Sequence, residues 1–349
     1  MSRNTKFKIQ VQIDRKYFEE SKFLEVIYCE KNDKSFTDKV SFVNNEVIIE
    51  GSRSKINIDK MLQTQLSTYY KVLIKSLLYV YFTFGEFTIK NIVIKVGKNE
   101  KSDTIISHQM FSKQIPMEYS GIETKGLVEN LEVSDNTMNV MMYLVQSIVY
   151  YEEFRFENLW KAFNILIREY SEETRGKKEF DRLISLRKNI EDHVDKFSRV
   201  LEYGNSVDTE FLQSLWISQM ITNNIKKGGK DEEKRVKAEV DCFEDERVLK
   251  VLIEKIECKK EAFKSQTIEE YRSEIRDKIK LEKKINIDII RLIILKYAYF
   301  LRNKFFHAER WPAHFLIDND NLKELNKVSR PLTLICVDLL NQYQLKNMN

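Results

Sequence analysis

The chain has 349 residues, with 42% hydrophobic and 32% charged side chains, which excludes disorder throughout and is long enough for two domains. Its 58 basic and 54 acidic residues leave a formal charge of +4, so any nucleic-acid contact has to come from a local patch rather than from bulk charge. Four scattered cysteines with no C-x-x-C pair argue against a disulfide framework or a thiolate zinc site. The first residues lack the apolar core of a signal peptide, and no run is long and apolar enough to span a membrane. A cytoplasmic protein without a membrane partner is therefore expected.

In chain order, Phe7–Ile13 alternates polar and apolar side chains and predicts a half-buried strand. Val40–Val43 and Glu46–Ile49 flank Asn44-Asn45, and this reads as a hairpin because Asn tolerates positive φ. Apolar residues from Asp59 to Tyr81 recur at helical spacing, Phe87–Val96 returns to strand character, and Lys98–Thr104 is polar. Only 9 Gly and 3 Pro occur, and a loop-rich stretch with Pro116, Gly121 and Gly126 marks a boundary. The expected organisation is an α+β sensor or regulatory domain over 1–120 and a mainly α-helical bundle over 121–349.

Beyond that boundary the 3.6-residue period predicts helices over Asn136–Tyr151, Phe156–Ser171, Lys177–Tyr203 and Asp208–Ile225. Phe156, Leu159, Trp160, Phe163, Ile167 and Tyr170 form one apolar face, so Trp160 and Phe163 read as core. Lys226–Arg247 is a mixed-charge run read as a solvated loop and helix face. Arg247–Lys284 reads as one or two charged helices. Ile285–His307 is the most apolar helix, and Asn321–Tyr343 supplies the last helix or pair, with Pro331 near a helix start.

The stretch with chemical content is Leu301-Arg302-Asn303-Lys304-Phe305-Phe306-His307. Histidine exchanges protons near neutral pH, and the guanidinium fork matches a phosphate. Together they could carry a phosphoryl transfer in which the RNA 2′-hydroxyl is the nucleophile. Asn303 could orient Arg302 or touch the sugar–phosphate backbone, while Lys304 and Arg310 flank the site as substrate-binding groups. No H-E-x-x-H or similar ligand cluster occurs, so no metal and no cofactor is expected. Taken without further context, Arg302 also fits a surface ion pair and His307 a helix-end residue favoured by the helix dipole. His314, His108 and His193 read as loop or surface residues.

The order Arg302, Asn303, three residues, His307, at the end of an apolar helix in a helical region, resembles the signature of the HEPN superfamily (higher eukaryotes and prokaryotes nucleotide-binding). The resemblance covers about residues 136–349 and includes the aromatic Phe156–Asn164 helix. It implies a metal-independent endoribonuclease of antiphage defence, abortive infection or toxin type. The implied catalytic residues are Arg302, Asn303 and His307. A homodimer would bring two motifs to one composite site on an RNA substrate, with a phage-derived or small-molecule trigger, or an antitoxin, as further partner. Glu309 stands where toxins paired with nucleotidyltransferase antitoxins carry Tyr. The alternative is a non-catalytic RNA-binding or protein-interaction adaptor on the same helical bundle.

Overall fold

The computed structural model describes residues 5–30, 34–62, 67–103, 109–128, 135–150, 152–170, 178–225, 240–257, 266–306 and 320–346. An antiparallel sheet occupies the N-terminal part, and the C-terminal part is mostly helical. Two compact units emerge, Met1–Tyr170 with Leu339–Asn349, and Ser171–Asp338.

In the first unit, strands β1 (Thr5–Ile13), β2 (Phe18–Glu30), β3 (Lys34–Asn44), β4 (Glu46–Arg53), β5 (Ile89–Val96) and β6 (Asn99–Asp103) form one sheet. Their order is β2-β3-β4-β1-β5-β6, every pair antiparallel. The period-two pattern sets the faces: Phe7, Ile9, Val11 and Ile13 are buried, with Ile9 in register with Ile49 and Ile94, and Val11 with Val47 and Ile92, of the neighbouring strands. Helix α1 (Thr68–Phe84) covers that face, with Tyr69 against Phe7 at 4.8 Å, Tyr79 against Phe42 at 5.4 Å and Phe84 against Phe18 at 5.1 Å between ring centres. The helix starts later than its apolar period suggests, after a 3-10 turn at Ile58–Lys60, and closes on Gly85 at φ 107. Asn44 supplies the hairpin turn at φ 54.

The same unit holds the short α2 (Lys125–Val128) and the packed pair α3 (Asp135–Val149) and α4 (Glu152–Tyr170). Met138, Met141, Leu144 and Val145 are buried on the first of the pair, and Phe156, Leu159, Trp160, Phe163 and Ile167 on the second. Trp160 and Phe163 are thus core residues. These two helices belong to the same compact unit as the sheet.

The second unit contains α5 (Glu179–Asp192), α6 (Ser198–Ser206), α7 (Thr209–Gln213), α8 (Ile217–Ile225), α9 (Glu246–Glu257) and α10 (Gln266–Lys280). After these come α11 (Asn286–Ile290), a π-helical segment (Arg291–Ala298), α12 (Tyr299–Phe306) and α13 (Asp320–Lys346), which continues into the first unit from Leu339. The expected helix Lys177–Tyr203 is broken at His193, an exposed residue at φ −137 and ψ 50, and the expected helix Asp208–Ile225 is broken around Leu215. Asp208 caps α7 by accepting from the backbone N–H of Phe211 at 2.7 Å. Pro331 lies inside α13 rather than near its start. The hydroxyls of Ser329 and Thr333 bond back to the carbonyls of Leu325 and Ser329, both at 2.9 Å, on either side of it.

A buried polar knot fixes the entry to the apolar helix run. Arg247 donates Nε to Asp245 Oδ1 at 3.0 Å and Nη2 to Asp245 Oδ2 at 2.8 Å, while its Nη1 reaches the carbonyls of Gly204 at 3.0 Å and Val207 at 2.7 Å. Asp245 also accepts from the Ile285 N–H at 2.6 Å. Asp288 accepts from the N–H groups of Glu244 at 2.7 Å and Asp245 at 2.9 Å. Burial raises the Asp288 carboxyl, and those two backbone donors pull it back toward its ionised form.

Candidate functional site around Arg302

The site hangs on the run Asn286–Ile290, Arg291–Ala298 and Tyr299–Phe306. Ile289, Ile290, Leu292, Ile293, Ile294, Tyr297, Ala298 and Leu301 are all buried, and only Arg291, Lys296 and Tyr299 of Ile289–Leu301 are half-buried. Its eight-residue π segment departs from the regular helix the apolar pattern suggests. Each extra residue in a π turn re-aims everything downstream by about 100°, and π segments often sit next to functional groups. Two tethers hold it. Arg291 donates to the carbonyl of Cys242 with its guanidinium 5.1 Å from the centre of the Phe243 ring. The Tyr297 hydroxyl accepts from the Trp216 N–H at 2.9 Å and donates to the buried carboxylate of Glu324.

Downstream of the segment, Arg302 donates from Nη1 to Asn303 Oδ1 at 2.7 Å. Because Arg only donates, the Asn303 oxygen must face it, which leaves the amide NH2 as the group Asn303 can offer to an acceptor. The same Nη1 stands 3.4 Å from Glu179 Oε2, at the first turn of α5, the helix that packs on the π segment. The Arg302 and Glu179 side chains are 25% and 19% exposed, so the pair is partly shielded yet reachable from solvent.

Lys304 points to a different neighbourhood. Its Nζ donates to Gln219 Oε1 at 2.6 Å and lies 5.1 Å and 5.8 Å from the ring centres of Phe300 and Trp216. Trp216 is half-buried beneath that ammonium. The structure thus brings Arg302 and Asn303 together and stations Lys304 on α8. His307, Arg310 and His314 lie outside the described residues, as does His108.

Sequence reasoning did not find Glu179 or Gln219. Both reach the site through tertiary packing, and nothing in their local sequence marks them. Among the described residues no group of three His, Cys, Asp or Glu side chains could hold a metal ion, and no helix is long and apolar enough to cross a membrane.

No family model, no curated protein and no solved structure matches the chain. The likeness to the HEPN superfamily therefore rests on the sequence alone, on the order of Arg302, Asn303 and His307 in it.

Proposed function

We propose that the protein is a metal-independent endoribonuclease of the HEPN type, acting in antiphage defence or as a toxin, with Arg302, Asn303 and His307 as its reacting groups. The 2.7 Å bond from Arg302 to Asn303 carries this reading, because it orients a partly exposed guanidinium shortly before His307 in the chain. In the reaction the RNA 2′-oxygen attacks the adjacent phosphorus, and the bond to the 5′-oxygen breaks. Negative charge grows on the phosphate oxygens, where a guanidinium contributes most. His307 serves as proton donor or acceptor, and a homodimer supplies a second copy of it to a composite cleft. Lys304 and Arg310 would contact the backbone, Lys304 by leaving Gln219. The test is strand scission by Arg302→Ala and His307→Ala: both abolish it while wild-type protein cleaves, and wild-type rates in either would remove the site assignment.

The ion pair with Glu179 favours a second reading, a non-catalytic RNA-binding or protein-interaction adaptor, since it compensates the Arg302 charge without any substrate. An RNA-binding adaptor would bind RNA less tightly as salt rises and leave every strand intact.

A further inference from the structure

The proposed chemistry needs two proton-transfer groups at one phosphodiester, whereas each chain offers a single motif histidine. Glu179 is a carboxylate that this fold delivers to the same guanidinium. Its Oε2 lies 3.4 Å from Arg302 Nη1, longer than the 2.7–2.9 Å of a tight charge-assisted bond, while Asn303 takes the short 2.7 Å contact on the same nitrogen. In a ribose 3′-phosphate the 2′-oxygen lies beside the phosphorus it is about to attack, within a few ångströms of the non-bridging phosphate oxygens. A phosphate seated on Arg302 would therefore bring its 2′-hydroxyl within hydrogen-bond reach of a carboxylate at this distance.

We infer that Glu179 is the general base of the cleavage reaction, an assignment that rests on the nuclease reading of Arg302 and His307. The Glu179 carboxylate takes the 2′-hydroxyl proton as the 2′-oxygen forms its bond to phosphorus. The bond from phosphorus to the 5′-oxygen breaks, and that oxygen leaves with a proton from the His307 imidazolium. The products are a 2′,3′-cyclic phosphate and a 5′-hydroxyl. Arg302 holds the phosphate oxygens throughout, and Asn303 fixes the guanidinium.

The experiment is single-turnover cleavage of a short RNA by the full-length protein and its Glu179→Gln, Glu179→Asp, Arg302→Ala and His307→Ala variants, with binding of a 2′-deoxy analogue and thermal midpoints measured in parallel. Glu179→Gln keeps the side chain's size and its acceptor for Arg302 but cannot take a proton. It is expected to slow the chemical step by about 10²–10⁴-fold at unchanged analogue affinity, with Glu179→Asp recovering part of the rate. In a substrate whose 5′-oxygen is replaced by sulfur, the leaving group departs without protonation. Cleavage then returns in His307→Ala and stays impaired in Glu179→Gln. Wild-type rates in Glu179→Gln, or rescue of that variant by the sulfur substrate, would overturn the assignment while leaving the nuclease reading intact. Wild-type rates in Arg302→Ala and His307→Ala, or no cleavage by the wild-type protein, would overturn both.

Discussion

Asp38 and Arg53 meet through two hydrogen bonds, Nη1 to Oδ1 at 2.9 Å and Nη2 to Oδ2 at 2.8 Å, with the two side chains almost wholly withdrawn from water. The guanidinium also lies 5.2 Å and 5.3 Å from the ring centres of Phe7 and Tyr69. Burial pushes the carboxyl up, to about 7, and the guanidinium down, to about 10, while the paired geometry favours both charges. Arg53→Met would leave a buried carboxylate alone and cost about 3–5 kcal/mol, and Asp38→Leu with Arg53→Met would recover most of that. Urea unfolding of the single and double variants measures the difference; equal losses in both would show that the pair is not coupled.

Gly51 sits where no side chain fits. A Cβ added there would stand 1.9 Å from Asp38 Oδ1 and 2.7 Å from a ring carbon of Phe7. The carboxylate is pinned by Arg53 and cannot step aside without breaking the pair. Gly51→Ala is therefore expected to destabilise the protein by about 1–3 kcal/mol, the usual cost of overpacking, in the same unfolding assay. A neutral effect would mean that Asp38 has room to move.

Asp338 carries the clearest pH signature in the helical unit. It accepts from the Val200 N–H at 3.2 Å, stands 3.7 Å from Arg199, and is only 5% exposed. Burial raises its carboxyl to about 6. A raised carboxyl means that the folded state holds the proton more tightly than the unfolded chain, whose value is about 3.9. The stability linked to that proton is complete below about pH 4 and is lost as pH climbs through about 6. The stability difference between wild type and Asp338→Asn should fall by up to about 3 kcal/mol across that window. A flat difference curve would remove Asp338 from the account.

Tyr297→Phe tests the tether of the π segment. The hydroxyl links the Trp216 N–H to the Glu324 carboxylate, which also receives Lys327. Its loss leaves a buried acceptor short of a donor, at a cost of about 1–3 kcal/mol. Hydrogen exchange at the Trp216 amide should accelerate more than exchange at amides of the β1–β4 ladder. Uniform acceleration would indicate a global effect instead.

Much of the fold is legible in the sequence because local rules agree with the tertiary result. Phe7–Ile13 alternates as a half-buried strand must, Asn44 takes the positive φ its turn requires, and Trp160 and Phe163 lie on the buried stripe of α4. The polar stretch after Val96 hides β6, because an edge strand paired on one side carries Asn, Glu, Lys, Ser and Asp without an apolar face. β2 has no local signal as plain as that of β1. The breaks at His193 and Leu215 fall within helical periodicity, and the π segment arises in a largely buried run whose apolar residues are too dense to mark one face by a 3.6-residue period. At the site, Arg302 and Asn303 are neighbours in the chain, so their bond could be anticipated. Glu179 comes from another helix, and only the packing of α5 on the π segment brings it there.

The central claim is RNA cleavage without a metal, and the chemistry of the product ends tests it most directly. Full-length protein is incubated with RNA in excess EDTA, and the new termini are identified. The account predicts scission with 2′,3′-cyclic phosphate and 5′-hydroxyl ends, lost in Arg302→Ala. Intact RNA, or fragments ending in 3′-hydroxyl and 5′-phosphate, would contradict it.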